Sequence, residues 1–448
     1  MSEPLETQRE FSPAYRNYAL GILFVGYIVN FVDRSILSLL LEPIKLELSL
    51  SDSQLGLLGG LAFAVFYTFL GIPIAALADR RSRVKILAVS MVIWSAMTAL
   101  CGLATNFWML LLARIGVGVG EAGASPPSHS LISDYFPIDK RATALSIYAL
   151  GIPFGTMIGS YVGGWGADEL GWRYTFFLVG IPGIFVAMII ALTLREPPRG
   201  LSDVKPAQSA AQKAATEAAP KPEAPQVKEV LNFLWAKVSF RHLSFAAGLH
   251  AFVSYGASTW NAPFFTRIHS MSSTDLGAAL ALVAGVGAIG TFAGGYLSDK
   301  LSDRTGDKRW YFWVPGIATI IMVPFQLVAY LYDGTTAAIA SLCMVAIMGN
   351  VYLGPSFAMT QALVSLRMRA VASAILLFVL NLIGMGLGPY FVGILSDLFA
   401  PTFGVESLRY ALCIAVLVNL WAGVHYMLGA RSMRGDLLET EAMNAKLV

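Results

Sequence analysis

Four ionisable residues stand where ionisable residues are rare. Asp33 and Arg34 are adjacent in the apolar run "YIVNFVDRSILSLLLEPI", and Arg114 and Glu121 lie in "ARIGVGVGEAGASPPSHS". On insertion scales a charge at the centre of a membrane helix costs roughly 2.5–3.5 kcal/mol, so each must face a partner or a wet cavity. Consecutive helical residues point about 100° apart, which makes Asp33 and Arg34 poor partners for each other. Arg114 and Glu121 are seven residues apart, two turns on one face and about 10 Å from each other. If the two helices run antiparallel, Asp33 falls between them in depth. The spacing predicts a cluster in which Arg114 holds Asp33 and Arg34 reaches a carboxylate, such as Glu121, or a substrate phosphate. A carboxylate can take up and release a proton, whereas an Arg keeps its charge and grips a phosphate in a fork. Asp33 and Glu121 are therefore the candidate proton carriers. His129, about two turns below Glu121 on roughly the same face, is a candidate relay. The bland alternatives are a fixed ion-pair pin for the cluster and a simple helix–helix hydrogen bond for His129.

The elements that must position these groups are membrane spans. Apolar residues make up 56% of the 448 and charged residues 13%, and mean hydropathy is +0.64. A soluble domain carries about twice that charge. Apolar runs of roughly 20 residues recur along the chain, the signature of transmembrane helices. Twelve are expected, near 16–41, 54–78, 84–104, 107–134, 141–165, 173–194, 241–268, 275–298, 310–333, 336–365, 369–398 and 406–430. The expected fold is all-α and polytopic, with two pseudo-symmetric six-helix bundles at 1–195 and 239–448. A solvated Ala-, Pro-, Lys- and Glu-rich linker at 196–238 joins them and ends in a short surface helix near 227–237. The acidic, polar N-terminus has no basic n-region, so no cleaved signal peptide is expected. Cys101, Cys343 and Cys413 lie in apolar runs, which argues against a disulfide framework or a metal site. No cofactor and no nucleic-acid partner are expected.

Charge placement predicts orientation. Of the 31 Lys and Arg, 25 fall on the side of the termini and linker and four on the other, with Arg34 and Arg114 within the spans. The positive-inside rule then places both termini in the cytoplasm, in a plasma or inner membrane.

The halves echo each other. "GIPIAALADRRSRVKIL" answers "GGYLSDKLSDRTGDKRW", with Asp79 and Asp299 220 positions apart, and "GSYVGGWGAD" answers "GPYFVGILSD" 229 positions on. Parallel six-helix repeats around a midplane site are a transporter plan. Pro126–Pro127 and Pro355 would interrupt spans four and ten at matching depths.

The loop after span two resembles the signature of the major facilitator superfamily at Ala75, Leu77, Asp79, Arg80, Ser82 and Arg83, departing from its glycines at Ala75 and Ser82. "GTMIGSYVGG" is similar to the superfamily's antiporter pattern, with Ser160 in place of Pro. "NFVDRSIL", "RIGVGVGEAGASPPSHSLISDYFP" and "LGWRYTFFLVGIPG" resemble the Spinster branch, which is associated with export of lysophospholipids and sphingosine-phosphate lipids. The resemblance implies a cytoplasmic latch built on Asp79, Arg80 and Arg83, with Asp299 and Lys300 as counterparts.

The C-terminal half sets neutral Ser258 and Thr259 against Asp33 and Arg34. Its cavity candidates are Trp260, Asn261, Phe265, Asn350, Tyr352, Phe357 and Asn381. One charged half and one mildly polar half suit an amphiphile, headgroup toward Arg34 and Arg114. The expected function is a proton-coupled, alternating-access transporter of a lysophospholipid or sphingolipid-like amphiphile, working as a monomer in the bilayer. A proton-driven multidrug or organic-anion exporter is the alternative, ahead of a passive scramblase or an intramembrane lipid-modifying enzyme.

Overall fold

The computed structural model describes residues 11–201 and 226–445, and no strand occurs among them. Among the described residues, ten stretches are long and apolar enough to cross a membrane. One of them, Arg369–Met443, is 75 residues long and doubles back at Gly404, where φ is 56°. It supplies span eleven (369–403) and span twelve (Ser407–Ala445). A further helix, Val238–His269, is 32 residues long. At about 1.5 Å per residue it exceeds the bilayer core, and its His, Ser and Arg residues dilute its apolar average. The described residues thus form twelve spans.

Spans one to six are Pro13–Leu48, Asp52–Ala78, Arg83–Cys101, Phe107–Tyr135, Ile138–Glu169 and Gly171–Thr193; seven is Val238–His269; eight to ten are Ser273–Thr305, Trp310–Leu331 and Thr335–Ala362. Twelve crossings place residues 11 and 445 on one face, called here the terminal face; the other is the far face. The helices overrun the apolar windows: span one begins three residues earlier and ends seven later than its window, and span twelve runs to Ala445. Hydropathy reports where oil is, whereas a helix ends where its backbone finds a cap. Ser12 caps span one by accepting from the Tyr15 N–H, and Pro13 starts it. Ser49, in the left-handed region at φ 53°, stops it. Ser51 and Gln54 form a reciprocal capping box that starts span two.

Most of the proposed 196–238 linker lies outside the described residues. The part that is described ends in the helix Val227–Ala236, which buries Val230 and Leu234.

Spans four and ten are each two helices. Span four breaks between Glu121 and Ser125, and span ten between Gly349 and Leu353. The two breaks are 228 positions apart, as are Pro127 and Pro355 in the helices that follow. Spans two and eleven carry i→i+5 turns at Leu57–Leu61 and Leu380–Leu387. These two stretches meet: a methyl on Gly60 would come within 2.8 Å of the Gly386 carbonyl oxygen. Close backbone approach through glycine is how membrane helices pack where lipid removes the hydrophobic drive.

Near the terminal face, Arg83 is buried. Its guanidinium donates to Asp134, to Ser130 Oγ at 2.8 Å, to Glu196 Oε1 at 2.7 Å and to the Pro197 carbonyl at 2.8 Å. All four belong to its own half, so Arg83 is here a strut between spans three, four and six, not a bridge to the other half. Burial pushes the Glu196 carboxyl up, but the Val84 N–H, Arg83 and Ser82 outweigh it and hold it below the usual range. A depressed carboxylate stabilises the fold fully above its unfolded value of about 4.3 and loses that contribution as pH falls through the folded value. Glu196→Gln should therefore flatten the acid limb of the thermal midpoint below about pH 4.3 and leave its pH dependence near neutrality unchanged. An acid limb as steep as in the unsubstituted protein would show that Glu196 carries no such linkage.

Candidate functional site

Span one brings Asp33 and Arg34 to the interior, and span four brings Arg114 and Glu121. Arg34 Nε donates to Glu121 Oε2 at 2.5 Å. Arg114 Nη1 lies 3.6 Å from Asp33 Oδ1, within ion-pair range but longer than a hydrogen bond. Thr98, on span three, donates its hydroxyl to the other Asp33 oxygen. Asp33, Arg114 and Glu121 are buried, while the Arg34 side chain keeps 20% exposure. Glu121 is the last residue before the break in span four, so its carboxylate stands where the helix changes direction.

Aromatic rings cradle the Arg34 guanidinium. Its Cζ lies 5.1 Å from the centre of Phe31, 5.0 Å from Phe63 and 4.7 Å from Tyr67. Phe63 also faces Arg114, at 5.7 Å. Phe63 and Tyr67 are four apart on span two and stacked, so one helix face presents both. A guanidinium flanked by ring faces keeps its charge and its planar orientation in a place water reaches poorly. The arrangement can hold a single phosphate or carboxylate at Arg34 and can shuttle a proton on Asp33 or Glu121.

His129 does not join this cluster. It is exposed, with its ring edge-on to Tyr148 at 5.4 Å, and Tyr148 stacks on Tyr27 at 4.2 Å. The break at residues 122–124 resets the helical phase, so counting two turns down from Glu121 no longer selects one face.

The C-terminal candidates divide. Trp260 is fully buried and donates its indole N–H to the Pro389 carbonyl at 2.8 Å. Phe265 is fully buried and stacked on His269 near the far face. Neither exposes surface that a ligand could touch in this state, because both are buried within the large apolar core cluster. Asn261 accepts from the Tyr330 hydroxyl at 2.8 Å. Asn350, in the break of span ten, is exposed, and its amide donates to the Ala346 carbonyl. Tyr352 and Phe357 are half-buried, and Asn381 lies half-buried in the i→i+5 stretch of span eleven. His250, which sequence reasoning passed over, organises this region. Its Nε2 lies 2.9 Å from the Gly349 carbonyl, so it must donate there, and its ring lies tilted against that of Tyr352, with centres 4.2 Å apart. It satisfies the carbonyl at the end of the first half of span ten. Thr98, Phe63 and Tyr67 were also missed; only the i,i+4 aromatic pair left a trace in the sequence.

Residues 23–389 match the sequence profile of the Major Facilitator Superfamily. The chain belongs to that superfamily. The facilitator is 31% identical to an MFS-type efflux pump of Mycolicibacterium smegmatis over 94% of both chains. It is 26% identical to the zebrafish (Danio rerio) sphingosine-1-phosphate transporter SPNS2, over 91% of this chain and 83% of that one. Among solved structures it superposes on a bacterial homolog of the human lysosomal transporter Spinster in an inward-facing, unoccupied conformation. The TM-score is 0.86 at 36% identity, covering 95% of this chain and 99% of that one. The facilitator is thus a membrane transporter related to Spinster.

Polar contacts between the facilitator's halves cluster at the far face. Arg267 of span seven donates to Glu42 at 2.7 Å and, through both terminal nitrogens, to Asp52 at 2.7 and 2.8 Å. Lys45 and Ser396 also donate to Asp52. At the terminal face the latch residues stay within their own halves. Asp79 and Arg80 are exposed. Asp299 accepts from the Tyr311 hydroxyl, and Lys300 donates to the Tyr296 hydroxyl at 2.8 Å.

Proposed function

We propose that the facilitator moves a lysophospholipid or sphingolipid-like amphiphile by proton-coupled alternating access. The observation that carries the reading is the cradled Arg34–Glu121 pair beside the looser Asp33–Arg114 pair. A proton on Glu121 would remove the counter-charge of Arg34 and free its fork for a phosphate. Proton loading and headgroup binding are then linked, and the linkage is reciprocal. Asp33, held by Thr98 and 3.6 Å from Arg114, is the second proton carrier. The charged groups of the N-terminal half would meet the headgroup, and the apolar C-terminal half the tail. The Lys and Arg bias supports cytoplasmic termini, which makes the exposed Asp79 face cytoplasmic and the conformation inward-facing. The efflux pump at 31% identity supports a second reading, a proton-driven exporter of amphiphilic drugs or organic anions.

Flux in proteoliposomes tests both. Lysophospholipid, sphingosine phosphate and a cationic dye would be compared with and without a pH gradient. The expected result is gradient-driven flux of one of the two lipids, with Asp33→Asn and Glu121→Gln abolishing the response to pH. Gradient-driven dye flux without lipid flux would favour the exporter. An unchanged pH response in both variants would sink the coupling.

A further inference from the structure

The repeat "GSYVGGWGAD" and "GPYFVGILSD" ends in Asp168 and Asp397, 229 positions apart. Both carboxylates lie at the far face, and each reaches out of its own half. Asp168, at the end of span five, accepts from the backbone N–H of Thr274 at 2.7 Å and of Ser273 at 3.3 Å, and from the Thr274 hydroxyl at 2.8 Å. These are the first residues of span eight. Asp397, on span eleven, accepts from the backbone N–H of Asp52 at 2.9 Å and of Ser53 at 2.7 Å, the first residues of span two. Ser273 and Thr274 follow Asp52 and Ser53 by 221 positions.

The packing beneath the carboxylates repeats as well. One turn before Asp168, Gly164 lies so close to span eight that a methyl on it would meet the Ser273 carbonyl oxygen at 2.1 Å. One turn before Asp397, a methyl on Gly393 would meet the Asp52 carbonyl oxygen at 2.3 Å. On the receiving helices, Gly277 abuts the Ser160 carbonyl and Gly56 the Pro389 carbonyl, each at 2.5 Å from where a Cβ would stand. Gly164 and Gly393 are again 229 apart, and Gly56 and Gly277 again 221.

We propose that Asp168 and Asp397 are a matched pair of positioning residues for transport, two copies of one unit that holds the far face shut. Each supplies a negative charge to the unsatisfied N–H groups and positive end of a helix that starts in the opposite half. Such a contact is available only when the halves meet at this face, so it favours that state and no other. Each cap is modest and partly exposed, which suits a closure that must break in every cycle. Two caps on opposite corners also resist tilting about either one. Arg267 adds a charge bridge at the span two corner alone, because the counterpart of Asp52 in the repeat is the neutral Ser273.

Spin labels at Leu46 and Val405, exposed on opposite halves, would report the far-face distance in nanodiscs, on a background with Cys343 and Cys413 replaced by Ser. The unsubstituted protein should show one short distance. Asp168→Asn and Asp397→Asn should each move a fraction to longer distances, and the double variant should move the majority, with an unchanged thermal midpoint showing that the fold is intact. If the double variant does not fold, Thr274→Val, which deletes only the hydroxyl donor, is read in the same way and should move a smaller fraction. A distance distribution unchanged in the folded double variant, or in Thr274→Val where that replaces it, would overturn the proposal. That result would leave the carboxylates as local helix caps.

Discussion

Arg34→Gln should abolish transport and lower the thermal midpoint, and Arg34→Gln combined with Glu121→Gln should restore most of the midpoint but none of the transport. Glu121 is buried and its carboxylate accepts from Arg34 at 2.5 Å. Removing one partner leaves a charge without its counter-ion in low dielectric, at a cost of about 3–5 kcal/mol, whereas removing both leaves two neutral amides. The midpoint therefore reports the pair, and flux reports the guanidinium. Arg34→Lys separates them further. It keeps a positive charge but loses the planar group that lies between Phe31, Phe63 and Tyr67. Its flux should stay close to that of Arg34→Gln despite a near-normal midpoint. Wild-type flux from Arg34→Gln would remove Arg34 from the transport mechanism, and wild-type flux from Arg34→Lys would show that a positive charge suffices without the planar group.

Gly290→Ala should be among the most damaging single-methyl additions in the protein. Its Cβ would stand 1.8 Å from the Ile347 carbonyl oxygen, and that of Gly294 2.1 Å from the Val351 carbonyl oxygen. These glycines are four apart on one face of span eight and press against span ten just before its break and within it. Backbone cannot give way as a side chain does, so the helices must part, at about 1–3 kcal/mol or more. They would part where Asn350 and Tyr352 are positioned. Gly295→Ala is the control, since nothing lies within 4 Å of its Cβ. Thermal midpoints and fluorescence-detected elution profiles check the contrast. Equal behaviour of the two variants would mean that span ten tolerates displacement.

The four charges of the cluster were legible in the sequence because a charge in an apolar run is costly enough to demand a reason. Their depths followed from helix rise alone. Thr98, Phe63 and Tyr67 were not legible, because a hydroxyl or an aromatic in a membrane helix costs little and has many bland uses. His129 shows where periodicity runs out: it assumes an unbroken helix, and residues 122–124 break it. Two prolines flagged that break, but its effect on facing needs coordinates. Trp260 and Phe265 show a different limit, since composition marks large aromatics without saying whether they face a cavity or a neighbouring helix. The twelve-helix fold was the easiest part, because bilayer thickness sets span length. Helix ends were harder, since Ser12, Ser49 and Ser51 cap or stop helices outside the apolar windows.

Span two carries its far-face start at Asp52 and the Arg34 cradle at Phe63 and Tyr67, with the i→i+5 stretch Leu57–Leu61 between them. An i→i+5 turn holds one residue more than an α turn. Converting it shifts everything downstream by about 1.5 Å and turns it by about 100°. The two ends of span two are consequently not a rigid crankshaft. They are coupled through a joint with one residue of play, and the partner stretch at Leu380–Leu387 places a second joint directly opposite. A pull at the far face would be taken up at this joint as a change of register between Asp52 and the rings around Arg34. The protein thus has a mechanical clearance built into its midplane, set by the width of a single peptide unit.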